Sequence, residues 1–213
     1  MPFVIPCEIT SYLYKQAADL VISKDNGDIE RKFFKDDFSV DSSSQYTTTG
    51  TVTGWGTGVI NATLGSKIRT SRTIINQFFR ICAQMIGGVY DSFYLICVGA
   101  PNNVRVIVQN RNGYLRVEVY DYTASTSILS VNHPLNGYEA YHYVTVGFVN
   151  GKYVIVKPDG TEMVSSIITN PAQIPTTPVQ VEMYSTPLNI SEMSFIPTTA
   201  YSDDFTTDTV SRR

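Results

Sequence analysis

Apolar and polar residues alternate with a period of two along much of the chain, most clearly between Ile74 and Tyr122. Successive side chains of a strand point to opposite faces, so this spacing predicts half-buried β-strands. Val104, Val106 and Val108 share one face; further on, Leu115, Val117 and Val119 share another, with Arg116, Glu118 and Tyr120 opposite. Gly87-Gly88, Pro101-Asn102-Asn103 and Asn112-Gly113 supply the positive or preset φ that tight hairpins need. The segment therefore predicts four strands in an antiparallel meander. The face assignment puts Phe79, Ile81, Phe93, Leu95, Val106, Val117, Val146 and Phe148 in the core.

Short strands on either side continue the pattern. Before the meander they fall near Phe34–Val40, Gln45–Val52, Thr57–Leu64 and Lys67–Thr70, and after it near Thr126–Asn132. Tyr141–Val149 pairs with Lys152–Lys157 through Asn150-Gly151, the strongest hairpin signal in the chain. Thr161–Ile168, Val179–Tyr184 and Ile190–Ile196 complete the series, and the three prolines between Asn170 and Pro178 mark an irregular crossover. Roughly a dozen short strands without a convincing helix beyond residue 34 predict an all-β antiparallel sandwich or barrel, and the crossover favours a jelly-roll sandwich with strands exchanged between sheets.

Residues 1–33 read as an N-terminal extension. Ile9, Tyr12, Leu13, Gln16, Ala17, Leu20 and Val21 fall at helical spacing, and Asp25-Asn26-Gly27-Asp28 is a hairpin signal. This extension is a candidate oligomer or anchor contact, or packs on its own domain. The sandwich domain is expected over 34–197, followed by a tail over 198–213. In that tail Tyr201–Thr209 repeats the aromatic-x-Asp-Asp-Phe-Ser/Thr-x-Asp-Ser/Thr pattern of Phe34–Ser42. Either the tail begins a second repeat or donates an exchanged strand, or the likeness is chance.

Composition narrows the function classes. The net charge is −3, and charged residues make up only 16% of 213 residues. No basic stripe offers a footprint for nucleic acid, and no apolar run is long enough to insert in a membrane. The polar, uncharged, Tyr-rich composition suits a virion-surface or extracellular protein. Asn61-Ala62-Thr63 and Asn189-Ile190-Ser191 fit the glycosylation sequon. Cys7, Cys82 and Cys97 form no metal-ligand spacing. A hairpin turning near Val89-Tyr90 would set Cys82 opposite Cys97, as a disulfide or as two buried thiols.

Asp36-Asp37-Phe38-Ser39, then Gly54-Trp55-Gly56 and Gly58-Val59-Ile60, with Asn150-Gly151-Lys152-Tyr153-Val154 further on, resemble concanavalin A-like (laminin G-like) jelly-roll domains over about Phe34 to Pro197. The Tyr/Thr/Asn/Ile-rich composition also resembles structural proteins of viruses that infect thermophilic archaea. Hydrolases of the jelly-roll family carry paired carboxylates on one strand, typically Glu-x-Asp-x-Glu, and no such triplet occurs here; Glu118 and Asp121 fall on opposite faces. The resemblance to lectin-type sandwiches raises calcium, with Asp36, Asp37 and Asp41 as hard oxygen ligands, against a plainer role of blunting an edge strand. Calcium apart, no cofactor is implied.

The expectation from these observations is a non-enzymatic structural or attachment protein, a homo-oligomer or partner of other particle proteins, displayed on a virion or cell surface. The alternative is a lectin-like carbohydrate-binding module, with a glycoside hydrolase ranked below it. In the lectin reading, a cell-surface glycan stacks on Trp55, Tyr90, Tyr120, Tyr122, Tyr138 and Tyr141. Trp55 between two glycines either stands exposed for stacking or plugs the end of the core.

Overall fold

The computed structural model describes residues 34–86, 93–97, 99, 103–111, 113–134, 141–156 and 163–197. The strands in chain order are β1 (Phe34–Asp36), β2 (Thr47–Thr49), β3 (Val52–Thr53), β4 (Ile60–Ala62) and β5 (Lys67–Arg69). Then come β6 (Gln77–Met85), β7 (Phe93–Cys97), β8 (Val104–Arg111), β9 (Tyr114–Asp121) and β10 (Thr126–Pro134). The chain closes with β11 (His142–Val149), β12 (Lys152–Val156), β13 (Met163–Ile167), β14 (Gln180–Glu182) and β15 (Leu188–Pro197). Among the described residues the only helical turns are short 3-10 segments at Ser43–Gln45 and Pro171–Gln173.

The strands pair antiparallel in two sheets. One runs β13-β12-β11-β6-β15-β4-β3, with β1 also on β15; the other runs β10-β9-β8-β7-β14-β5-β2. The fold is an antiparallel jelly-roll sandwich, as the alternation predicts. Its core lies between the sheets: Val104, Val106 and Val108 of β8 and Leu115, Val117 and Val119 of β9 are buried against Phe79, Ile81, Val144, Val146, Ile190 and Phe195 of the facing sheet. Burying one face of β8 and β9 leaves the polar set on their other face no choice but to point outward.

Phe79, Ile81, Val106, Val117, Val146 and Phe148 are all buried as expected; the side chains of Phe93 and Leu95 lie outside the described residues. Asn150 and Gly151 have φ of 49° and 74°, the pair of positive values that a tight β11–β12 hairpin requires. The crossover at 170–178 carries the chain from β13, at the edge of the first sheet, to β14 in the interior of the second. Asp121, fully buried at the end of β9, staples it there. Its Oδ1 accepts the backbone N–H groups of Thr123 and Ala124, and its Oδ2 accepts Gln173 Nε2 at 2.8 Å. The Tyr153 hydroxyl donates to the Gln173 carbonyl at 2.6 Å, so turn, crossover and β12 are tied together.

The four-strand meander is corrected in one place. β7 to β10 are consecutive neighbours, but β6 lies in the other sheet between β11 and β15. The chain between β6 and β7 passes from sheet to sheet, so Cys82 and Cys97 are not opposite one another and the hairpin that would bring their thiols together does not form. Cys82 is a buried free thiol, pushed up from its ordinary pKa mainly by that burial. The proposed N-terminal helix and hairpin (1–33) and the repeat motif in the tail (198–213) lie outside the described residues.

The aspartate-rich opening has a packing role. Asp36 Oδ1 accepts the Phe38 N–H at 2.8 Å and Asp36 Oδ2 accepts the Tyr46 hydroxyl at 2.8 Å. These bonds hold Phe38, at φ 57°, fully buried. A chain of rings follows: Trp55 to Phe38 (5.7 Å) and Tyr46 (5.4 Å), Tyr46 to Phe34 (6.4 Å), Phe34 to Phe195 (6.2 Å) and Phe195 to Phe79 (5.1 Å). Gly54 sits at φ 86°, where a Cβ would fall 2.3 Å from the Val59 carbonyl, so only glycine lets the Trp55 turn close.

Two outcomes test this packing. Phe79→Ala should cost about 3–5 kcal/mol in urea denaturation, since it opens a cavity between the sheets. The second concerns Tyr46 and Tyr153, whose phenols are pushed well above the ordinary value of 10.0, chiefly by burial. They stay protonated in the fold and ionise in the unfolded chain, so stability is fully present below pH 10 and is lost as pH rises above it. A melting temperature that held level from pH 9 to pH 11 would contradict this.

Candidate functional site

The outer face of the seven-stranded sheet carries the densest chemistry among the described residues. On β8 the half-exposed positions are Arg105, Ile107, Gln109 and Arg111; on β9 they are Tyr114, Arg116 and Tyr120, with the buried Glu118 between the last two. The ladder pairs Ile107 with Glu118, Gln109 with Arg116 and Arg105 with Tyr120, and β10 sets Ser130 beside Glu118. Together with Tyr122 and Ser125 from the β9–β10 turn, these strands form a depression of about 310 Å³. That volume lies at the lower end of the range for small-molecule sites.

Glu118 is the one carboxylate lining the depression. It is only 5% exposed although it faces outward. Arg116 Nη2 donates to its Oε1 at 2.7 Å, and Arg116 Nε donates to Ser130 Oγ at 3.3 Å. A short pair of this kind fixes both side chains and leaves the second carboxylate oxygen to accept hydroxyl groups. Arg111 Nε donates to Gln109 Oε1 at 2.7 Å, and Arg105 Nε to Asn103 Oδ1 at 3.0 Å. The Tyr120 and Tyr122 rings meet edge to face at 4.9 Å, and the Arg105 guanidinium lies 5.4 Å from the Tyr122 ring centre. Burial raises the Tyr122 phenol above its ordinary pKa; Arg105 opposes the shift, while Tyr184, Tyr120 and Glu118 add to it. The phenol is therefore a neutral hydrogen-bonding group at any ordinary pH.

Of the six aromatic residues expected to stack on a glycan, the structure brings together Tyr120 and Tyr122. Trp55 packs with Phe38 and Tyr46 against the core, next to the edge of the other sheet, and serves as the plug rather than as a platform. Tyr141, 41% exposed, precedes β11 in that other sheet. Tyr90 and Tyr138 lie outside the described residues. The three aspartates raised as calcium ligands hold turns. Asp36 is committed to Phe38 and Tyr46. Asp37 accepts the Ser39 N–H and hydroxyl, and Asp41 the Ser43 N–H. Those bonds hold the Asp37 and Asp41 carboxyls below the usual pKa. No group of three or more His, Cys, Asp or Glu that could hold a metal ion occurs among the described residues.

Arg116, Glu118 and Tyr120 were visible in the sequence as the polar face of one strand. The alternation alone did not reveal that Arg105, Gln109 and Arg111 of the neighbouring strand share that surface. Glu118 and Asp121 do point to opposite faces, with Asp121 buried in the staple. Along the ladder, Ile107 is in register with Leu95 and Leu95 with Glu182. Glu118 and Glu182 are thus three strands apart, about 14 Å at the usual strand spacing. Paired carboxylates in glycoside hydrolysis stand about 5–9.5 Å apart.

No protein-family model matches the chain, and no curated protein matches it. Solved structures do. A prokaryotic β-1,3-1,4-glucanase (lichenase) derived from a mouse hindgut metagenome is similar over 78% of this chain and 99% of its own, at TM-score 0.59 and 9% identity. The Crh5 transglycosylase in complex with NAG is similar over 78% of this chain and 84% of its own, at TM-score 0.59 and 11% identity. The CBM2 module of the evolved Dit of Lactobacillus casei BL23 phage J-1 matches over 77% and 95%, at TM-score 0.56 and 9% identity.

The fold is therefore the concanavalin A-like jelly roll of lichenase-type proteins. This corrects the expectation of a non-enzymatic structural or attachment protein: the structures that share the fold include glycoside hydrolases and a transglycosylase. The resemblance to archaeal-virus structural proteins finds no support in these comparisons.

The Arg116–Glu118 pair offers a direct check on the geometry of the site. A double-mutant cycle with Arg116→Met and Glu118→Gln should give a coupling of about 1 kcal/mol, because Arg116 is one-third exposed and water screens it. The coupling should shrink in 1 M salt, and a value indistinguishable from zero at low salt would mean the pair does not form.

Proposed function

We propose that the chain is a carbohydrate-active protein that takes a polysaccharide along the outer face of its seven-stranded sheet. The observation that carries this reading is the Arg116–Glu118–Tyr120 face of β9, where an ordered charged pair and a tyrosine line one depression. Sugars present hydroxyl groups at their edges and apolar C–H faces between them. Arg116, Gln109 and the free oxygen of Glu118 suit the hydroxyls, and the Tyr120 and Tyr122 rings suit the faces. The lichenase and transglycosylase structures with this fold support assigning it to glycan chemistry. As the carboxylate lining the depression, Glu118 is the group that would take up a proton from a hydroxyl or water held against a bound glycan.

The test is a polysaccharide panel, neutral and charged, read by affinity electrophoresis and by release of reducing ends. Binding of at least one polymer is expected, weakened about tenfold or more by Tyr120→Ala, in keeping with one lost ring contact of about 1.4 kcal/mol. Any turnover should disappear in Glu118→Gln while the melting temperature of that variant shows it folded. A panel without binding or turnover would overturn the proposal, as would binding indifferent to both substitutions.

A further inference from the structure

The first sheet is apolar on both sides where β6 crosses it. Phe79 and Ile81 point into the sandwich, so Phe78 points out of it. The ladder sets Ile196, Phe78, Gly147 and Val154 in one row across β15, β6, β11 and β12, and Ser194, Arg80, Thr145 and Val156 in the next. Phe78, Val149, Val154, Val156 and Ile196 form an apolar island on this outer side, separate from the core. Gly147 makes room for the Phe78 ring, since a Cβ there would fall 2.8 Å from it. On the outside of a two-layer sandwich such residues should meet water, yet Phe78 is fully buried and Val154 is 2% exposed. Ile167, on the same side one strand further out on β13, is 67% exposed. The shielding is therefore local: it covers β15, β6, β11 and β12 and stops before β13. Among the described residues the only other layer is the second sheet, on the opposite side, and the crossover is tied to Tyr153 of the inner face.

The size of the island says what kind of element closes it. Its four strands span about 14 Å, and the run from Thr145 to Val149 along β11 covers about the same. That footprint suits one helix, about 10 Å in diameter. The N-terminal extension carries a matching stripe: Ile9, Tyr12, Leu13, Ala17, Leu20 and Val21 keep helical spacing with Gln16 as the one polar member, and Ser11 and Lys15 fall opposite. From Ile9 to Val21 such a helix is about 18 Å long, and its stripe gains stability only by burial against another surface. The connection also allows it. Phe34 of β1 pairs with Phe195 of β15, beside Ile196, and the chain between Val21 and Phe34 reaches up to about 40 Å. The tail leaves β15 at the same border, but its large apolar side chains are only Tyr201, Phe205 and Val210, interspersed with Asp203, Asp204 and Asp208.

We propose that residues 9–21 pack as an amphipathic helix across β15, β6, β11 and β12 of their own chain, closing the outer face of the first sheet. The occupant of the island is thus the N-terminal segment, in place of the tail or a second copy, and this does not depend on what the groove of the other sheet binds. The experiment uses the full chain. Leu13 and, separately, Leu20 are replaced by photo-crosslinking benzoylphenylalanine, with Phe205 replaced likewise to represent the tail, and each variant is checked for an unchanged melting temperature. Irradiation of mixed 14N and 15N chains, followed by mass spectrometry, locates each crosslink and shows whether it joins one chain or two. Hydrogen exchange over residues 10–21 is measured beside it in the wild type, Leu13→Ser/Leu20→Ser and Val154→Thr.

Positions 13 and 20 should crosslink within one chain to peptides of β6, β11, β12 or β15. Amides of residues 10–21 should exchange about a hundredfold or more slowly than in a coil. That protection should vanish in Leu13→Ser/Leu20→Ser and fall about tenfold in Val154→Thr, which sets a hydroxyl under the helix, while β8 and β9 exchange as in the wild type. Crosslinks from 13 and 20 to another surface or between differently labelled chains would overturn the proposal, as would none from either position. Crosslinks to the island from position 205 alone would assign the face to the tail and overturn it too. Coil-like exchange over 10–21 in the wild type, or protection indifferent to Val154→Thr, would do the same without any crosslinking variant having to fold.

Discussion

Everything in this molecule depends on burying two inner sheet surfaces against each other. Once Val104, Val106 and Val108 face Phe79 and Phe195 across the core, the side chains between them have no freedom of face, only freedom of identity. The core therefore determines where the outer residues stand and says nothing about what they are. The Arg116–Glu118–Tyr120 surface is held in place by Leu115, Val117 and Val119 at its back. A rigid backing is what makes a surface carboxylate only 5% exposed tolerable, because Arg116 can be held against it without the entropy that two loose side chains would lose.

The same division explains what could be read from the amino acids alone. The β8–β9 alternation and the Asn150-Gly151 hairpin are local: each is set by residues next to one another, so the chain announces them. The crossing from β6 to β7 is not local. Gly87-Gly88 satisfies a hairpin as well as it satisfies a passage between sheets, and only the pairing of β6 with β11 and β15, strands far along the chain, decides between them. For that reason the facing of Cys82 and Cys97 followed from a sound local rule and still failed.

Trp55 and the aspartates stayed open between two readings for a related reason. A tryptophan between glycines suits stacking and plugging equally, and the difference lies in Phe38 and Tyr46, one of which takes a left-handed backbone that no propensity foretells. Asp36, Asp37 and Asp41 read as metal ligands when taken as a set of carboxylates, and as turn holders when each is seen to accept, at Oδ1, the backbone N–H two residues on. The tyrosines were numerous enough to suggest a cluster. Among the described residues, sheet order separates Tyr141 from Tyr120 and Tyr122.

The positions of β14 and β15 bear on how such a chain is made. β14 joins the β7–β10 meander to β5 and β2, while β15 joins β6 and β11 to β4 and β1. Each sheet is thus two halves sealed by a strand from the last stretch of the sandwich. As the chain emerges from a ribosome, the meander strands pair with one another early, but β7 awaits β14 and β6 waits with an open edge until residues near 190 arrive. Closure comes late and for both sheets nearly together, which makes acquisition of the sandwich slow, cooperative and dependent on keeping that edge covered in the meantime.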